Sequence, residues 1–381
     1  MLTFETLRVV VTGGGSGGHT SAAVGIIEAL IEEGVKREHV LWMGSAKGIE
    51  RQVAKQSNIP FRVIPVGKLR RYWSLENLID VPRVIRGFFQ SITILRSSSP
   101  SVVISTGGFV SVPVIIAARL LGIPIVVHEQ TIIPGLANRI AERVASRILL
   151  SFKETVSFFD STKTTFVGNP LRVELKKGLP CRSEALHRLG LNSELPVLYV
   201  TGGAQGANAL NKVVADALPD LLKDWQIIHQ CGVNSMEYDA TYLAEIANGL
   251  DRDLACRYLI KPYVGQEIVD VFAVVDILLS RSGAAIINEI IHIGLAAILV
   301  PYPASIAQEQ QRLAQMLEEI GAAIVIDQTT LTKDKLIGVL GELGPVKRAL
   351  MRARAKSLAP KRVEKSLAKV ILQVAQSNIA N

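Results

Sequence analysis

Thr12-Gly13-Gly14-Gly15-Ser16-Gly17-Gly18-His19-Thr20 decides the fold. An apolar run, Leu7-Arg8-Val9-Val10-Val11, enters it, and a helical pattern from Ala22 to Glu33 leaves it. Strand, glycine loop, helix is the opening of a parallel α/β sheet. The glycines let backbone approach a ligand closely and let consecutive N–H groups point one way, at a helix start where anions are favoured. A histidine closes the loop. Phosphate binding alone does not require it, so it suggests a reaction beside a phosphorylated group.

Two plainer readings compete. Gly13-x-Gly15-x-x-Gly18 fits the dinucleotide fingerprint, which expects an acid at the end of the second strand. Here Val40-Leu41-Trp42-Met43 runs into Gly44-Ser45-Ala46-Lys47, and Glu50 comes only in the next helix. A purely structural glycine turn is the other.

The 381 residues suffice for two domains. No apolar run approaches the ~18 residues of a membrane span. Glu5 and Arg8 lead straight into a strand, so no secretory leader is expected. Cys181, Cys231 and Cys256 fit neither a disulfide framework nor a zinc site, which predicts a reducing compartment. The net charge of +8 is unevenly spread: 19 Lys/Arg against 12 Asp/Glu over residues 1–170, 14 against 21 over 171–344, and 9 against 1 over 345–381. That is no nucleic-acid stripe, and no nucleic-acid partner is expected. An anionic membrane surface suits a basic, apolar half better.

Short apolar strands alternate with amphipathic helical stretches throughout. Strands are predicted at Arg8–Thr12, Val40–Met43, Arg62–Pro65, Val102–Ser105, Ile125–His128, Arg147–Ser151 and Thr165–Val167. In the second half they are predicted at Pro196–Val200, Trp225–Gln230, Ala255–Leu259, Ile277–Ser280, Ala297–Val300 and Ala323–Ile326. Val200 to Asn208 repeats the scheme of strand, glycine turn and helix, and Ser280 to Ala285 gives a third such turn. The expected architecture is two Rossmann-like domains with parallel sheets facing across a cleft. They comprise residues 1–168 and 181–358, joined by a hinge at 169–180, with a basic terminal helix at 359–381 packing back on the first domain.

Read together, several segments resemble the MurG family of peptidoglycan glycosyltransferases, which have the GT-B fold. They are Gly13–His19, Thr106-Gly107-Gly108-Phe109-Val110-Ser111, His128-Glu129-Gln130 with Gly135-Leu136-Ala137-Asn138, and Val167–Arg172. Gly202–Ala207, Arg281-Ser282-Gly283-Ala284 with Glu289, and Gln310 complete the set. Their order and spacing carry the resemblance, which spans nearly the whole chain.

The resemblance implies inverting transfer of N-acetylglucosamine from UDP-N-acetylglucosamine to the muramoyl-peptide unit of a polyprenyl-diphosphate lipid. It also implies a peripheral position on the cytoplasmic face of the cell membrane. The second domain would hold the donor. Arg281, Ser282, Gly283 and Ala284 would meet the diphosphate at a helix start, Glu289 the ribose hydroxyls, and Val264 the uracil edge. Gln310 and Gln311 would address sugar hydroxyls, with Ala204 in the glycine turn and Arg172 from the hinge. A solvated helix carboxylate is the plainer reading of Glu289, and a hinge-capping ion pair that of Arg172.

The first domain would hold the acceptor diphosphate on Gly14, Gly15, Ser16, Gly17, Gly18, Gly107, Gly108 and Phe109, with Asn138. His19 is the candidate general base, since an imidazole suits proton abstraction at neutral pH; ordering the loop is its plainer role. Glu129 is the second candidate, with a buried structural pair as its rival reading. No cofactor and no metal are expected. Asp251-Arg252-Asp253 mimics a manganese-binding triplet but lies in a polar turn.

The chain departs from the family's usual residues at several points. Thr20-Ser21-Ala22-Ala23 replaces an aromatic-proline-glycine run, Phe109 a tyrosine, Thr131 an asparagine and Ala204 a serine. Glu309 replaces a histidine or glutamine, and Leu313 an asparagine. A transferase to another lipid, a UDP-sugar epimerase of similar fold and a non-catalytic UDP-sugar binder are the alternatives. Finally, Lys68-Leu69-Arg70-Arg71-Tyr72-Trp73, followed by an apolar helix to Phe89 interleaved with Arg83 and Arg86, suggests a surface that docks on membrane headgroups.

Overall fold

The computed structural model describes residues 6–67, 75–234 and 237–379. They form two compact units. One runs up to Val173 and includes the chain from Pro360 onward; the other is Glu174–Ala359.

In the first unit seven strands form one sheet in the order β3-β2-β1-β4-β5-β6-β7. They are β1 (Val9–Thr12), β2 (Val40–Gly44), β3 (Phe61–Val63), β4 (Val102–Ser105), β5 (Ile125–Glu129), β6 (Arg147–Leu150) and β7 (Thr164–Phe166). Every pairing is parallel. Parallel strands need crossovers, and the crossover helices cover both faces, so the central strands read as unbroken apolar runs.

Side-chain alternation splits each run between two cores. Val9, Val11, Ile104, Val126 and Leu149 face one side and pack with Ile26, Ile27 and Leu30 of α1 (Gly17–Glu32). Val10, Val103, Val127 and Ile148 face the other, beneath α3 (Leu75–Ser98) and α4 (Ser111–Leu120). Burying each such side chain contributes about 1.5–3 kcal/mol. The terminal helix Val363–Ile379 sets Leu367, Ala368, Ile371 and Leu372 into the α1 side of the core. The chain crosses it at Gly168, where a Cβ would lie 2.7 Å from Pro360 Cγ.

The second unit repeats the plan with six parallel strands in the order β10-β9-β8-β11-β12-β13. They are β8 (Val197–Thr201), β9 (Gln226–Gln230), β10 (Tyr258–Lys261), β11 (Ile277–Ser280), β12 (Ala297–Leu299) and β13 (Ala323–Val325). All thirteen expected strands are present, two of them with an end displaced by two or more residues. Strand β10 starts three residues later than expected, because Arg252–Ala255 closes a helical turn. Strand β3 ends at Val63, ahead of Pro65, which has no N–H to give a ladder.

In both sheets the strand order reverses beside the first strand, between β1 and β4 and between β8 and β11. Loops leaving the carboxyl ends of those strands converge there, as ligand sites do in open α/β sheets. Among the described residues no helix is long and apolar enough to cross a membrane.

Candidate functional site

In the first unit the loops after β1, β4 and β5 meet around His19. The loop after β1 is locked to the loop after β4: Gly14 N–H donates to Gly107 O (3.4 Å), and Thr106 N–H donates to Thr12 O (2.9 Å). Thr106 Oγ1 donates to His19 O (3.0 Å). The approach is too tight for side chains. A Cβ on Gly108 would sit 2.2 Å from Gly14 O, and one on Gly107 3.0 Å from Asn138 Oδ1 and 3.2 Å from His19 Cε1. Phe109 covers Gly15, whose Cβ would fall 2.8 Å from the ring. Gly17 and Gly18, in the first turn of α1, are exposed with open space beside them, and Ser16 caps that turn. The structure therefore brings His19 together with Gly14, Gly15, Gly107, Gly108, Phe109 and Asn138.

Glu50, on α2 (Ile49–Gln56), is the unforeseen member. Its carboxylate is fully buried and accepts from Gly15 N–H (3.2 Å), Ser45 N–H (3.0 Å) and Ser45 Oγ (2.6 Å). It holds the loop from below and takes up the Gly15 amide that an anion would otherwise have met.

Glu129, at the end of β5, is 1% exposed and serves its own loop. Oε1 accepts from Thr131 N–H (3.1 Å) and Thr131 Oγ1 (3.0 Å); Oε2 accepts from Asn138 Nδ2 (2.9 Å) and Gly135 N–H (3.3 Å). Burial pushes its carboxyl above the usual range, against the pull of those donors. Its neighbours differ: His128 is fully buried, and Gln130 bridges it to His19, with His19 Nδ1 at 3.0 Å from Gln130 Oε1.

In the second unit the turn after β8 exposes Ala204 and is closed by backbone, with Gly206 too close to Cys231 O for any side chain (2.2 Å from an added Cβ). Ser282 is buried and donates to Gln310 O (2.8 Å), which ties the start of the helix Ala284–Glu289 to the helix Glu309–Glu319. Gln310 Oε1 accepts from Tyr302 N–H (2.9 Å), and Gln311 is half-buried beside it. Gly283 and Ala284 are partly open at that helix start. Glu289 is 2% exposed, so the reading as a solvated carboxylate does not hold.

Two expected donor contacts are committed internally. Val264 N–H donates to Gln230 Oε1 (3.1 Å), so that amide is not open to a uracil edge. Arg281 donates to Val300 O (3.0 Å), Pro301 O (3.3 Å) and Gln328 Oε1 (2.6 Å), and lies over the Tyr302 ring. It braces the loop after β12, and burial lowers its pKa. Arg172, grouped above with the donor residues, falls in the first unit.

Sequence comparison gives the same two-part plan, except that its second part takes in the start of the terminal helix that packs on the first unit. Residues 9–150 match the glycosyltransferase family 28 N-terminal domain and residues 197–371 its C-terminal domain. A protein of Lachnospira eligens is 35% identical over 337 residues, covering 88% of this chain and 90% of its own. A protein of Treponema denticola is 36% identical, covering 92% of each chain. Both are named UDP-N-acetylglucosamine--N-acetylmuramyl-(pentapeptide) pyrophosphoryl-undecaprenol N-acetylglucosamine transferase. The chain belongs to the MurG family. The crystal structure of Acinetobacter baumannii MurG shares the GT-B fold, with a TM-score of 0.73 at 24% identity over 96% of this chain and 99% of that one.

Within the MurG family the chain's departures have visible local roles. Thr131 N–H donates to Glu129, and the single proton of its hydroxyl is shared between Glu129 Oε1 (3.0 Å) and Ile133 O (2.7 Å). Leu313 is fully buried in the second unit, where an amide would need a partner. Phe109 covers the glycine loop without a hydroxyl.

Proposed function

We propose that this MurG-family enzyme transfers N-acetylglucosamine from UDP-N-acetylglucosamine to the N-acetylmuramyl unit of a pentapeptide-bearing pyrophosphoryl-undecaprenol, converting lipid I to lipid II in peptidoglycan synthesis. The observation that carries the mechanism is the His19 imidazole, half-buried where two glycine loops and β5 meet. The acceptor diphosphate lies against the open start of α1, at Gly17 and Gly18, where N–H groups and the helix dipole favour anions. His19 takes the proton of the attacking sugar hydroxyl. That oxygen bonds to C1 of the donor sugar from the face opposite the diphosphate, the C1–O bond to UDP breaks, and UDP leaves with the electron pair.

His19 rather than Glu129 is read as the base, because both Glu129 oxygens accept from donors around its own loop. Donor binding belongs to the second unit. The start of the helix at Ala284 meets the UDP diphosphate, Glu289 accepts from the ribose hydroxyls, and Gln310 and Gln311 face the sugar.

The lipid acceptor calls for a membrane-facing surface on the cytoplasmic side. The segment Lys68–Trp73 read for that role lies outside the described residues. On α3, Val81, Ile85 and Phe89 lie four apart on one face and are 49%, 52% and 62% exposed, with Arg83 and Arg86 exposed among them. An apolar stripe flanked by arginines suits anionic headgroups.

The test is direct transfer of labelled N-acetylglucosamine from its UDP conjugate to a synthetic muramoyl-diphospho-lipid. Labelled disaccharide lipid is expected. Transfer to diacylglycerol instead, or none to either acceptor, would overturn the reading.

A further inference from the structure

The side chain that decides which nitrogen of His19 acts as base sits behind it. From the interior outward, the chain of bonds runs Gly168, His128, Gln130, His19. His128 Nε2 is 3.1 Å from Gly168 O. A carbonyl only accepts, so that nitrogen carries the proton, and Ser151 Oγ, 3.4 Å from it, sits on its accepting side. Burial holds the His128 ring down to about 4, so it is neutral at physiological pH. A neutral imidazole with Nε2 protonated has a bare Nδ1, which accepts. The partner 3.0 Å away is Gln130 Nε2. The same Gln130 nitrogen donates to His128 O (2.9 Å). Because that second acceptor is a carbonyl, the Gln130 amide can be oriented only one way. Its Oε1 therefore faces His19 Nδ1 at 3.0 Å, and an amide oxygen requires an N–H there.

We propose that Gln130 and His128 are positioning residues that pin His19 in its Nδ1–H tautomer, leaving Nε2 as the nitrogen that accepts the substrate proton. The inference rests on the reading of His19 as base and deepens it. Histidine tautomers are set by the partner of the other ring nitrogen, and here that partner is itself locked by a buried, neutral histidine. When Nε2 takes a proton, the Nδ1–H remains on Gln130 Oε1, so the ring need not turn during the step. Glu129 also feels His19, and its oxygens are occupied by Thr131, Gly135 and Asn138.

The experiment is long-range 15N–1H correlation of histidine-labelled, full-length protein without substrate, with His19 assigned through His19→Ala. The parent should show His19 protonated at Nδ1 and bare at Nε2. Gln130→Met, which removes the acceptor, should move His19 toward a mixture of tautomers and lower kcat by about tenfold or more with KM for UDP-N-acetylglucosamine unchanged. Gln130→Glu, carrying a proton on the oxygen that faces His128 O, keeps an acceptor on Nδ1–H and should keep the tautomer; a merely structural role would make the two variants alike. His39 signals, from the same unit as Gln130, report its intact folding. An Nε2–H tautomer in the parent, or an unchanged tautomer in Gln130→Met, would overturn the proposal. Should Gln130→Met fail to fold, the parent spectrum still decides. Because the spectrum needs no substrate, the predicted tautomer beside full turnover in His19→Ala would overturn the base assignment and leave the relay standing.

Discussion

His128 in the first unit and His229 in the second are both fully buried, and each is bonded at both ring nitrogens. The far ends of their networks differ. His229 takes the Tyr258 hydroxyl at Nδ1 (2.7 Å) and meets Asn211 Oδ1 at Nε2 (3.0 Å). Asn211 Nδ2 then donates to Cys231 O (2.9 Å) and Tyr238 O (3.0 Å). That network ends on backbone and fixes the chain that follows β9. The network through His128 ends on a half-buried imidazole instead. The glycine loops follow the same contrast: the one after β8 is closed by backbone, while the one after β1 is held by Glu50, Thr106 and its own histidine. One sheet plan thus ends in a backbone-closed turn in one unit and in a half-buried imidazole in the other.

Acid should separate the two units most strongly. Burial depresses His128 to about 4 and His229 to about 3, both from 6.5. Below pH 6.5 the unfolded chain takes up protons that these rings refuse, so stability falls until each folded pKa is reached. At pH 5 each ring costs about 2 kcal/mol, roughly a thirtyfold change in the unfolding constant. Glu129 works the other way, because its folded pKa is raised and it gains a proton first as pH falls. The second unit should therefore lose more stability than the first between pH 7.5 and pH 5, read by urea unfolding with proteolysis reporting each unit. Equal losses would break the comparison.

A smaller effect concerns the donor. Glu289→Ala should weaken UDP affinity by about tenfold or more, since the ribose hydroxyls lose a charged acceptor. Calorimetry returning the parent affinity would remove Glu289 from the donor site. The smallest effect is at the membrane. Ile85→Ser with Phe89→Ser should reduce binding to anionic vesicles several-fold, on top of a loss with added salt. Unchanged binding would move the docking surface elsewhere.

Much of this frame was legible from residue order. The glycine loop, the thirteen strands and the repeat of the plan follow from period, punctuation and apolar runs, which are local signals. Strand β10 was misplaced because Arg252–Ala255 and Tyr258–Lys261 are both short, and nothing local separates a helical turn from the strand after it. The site was legible only as a set of motifs. Nothing local gives Gln130 a role, because its partner His19 lies 111 residues away in the chain. In the sequence Glu50 is only an acid absent from the strand end; its reach back to Gly15 depends on how α2 packs. Arg281 and the Val264 amide looked available because their internal partners, Gln328 and Gln230, sit on other loops.

The central claim is that chemistry resides in the first unit and donor binding in the second. The measurement is kcat and UDP affinity for His19→Ala, side by side with the parent. Turnover should fall by about a hundredfold or more, as loss of a general base does, with UDP affinity by calorimetry unchanged. Turnover within a few-fold of the parent, or a matching loss of UDP affinity, would contradict it.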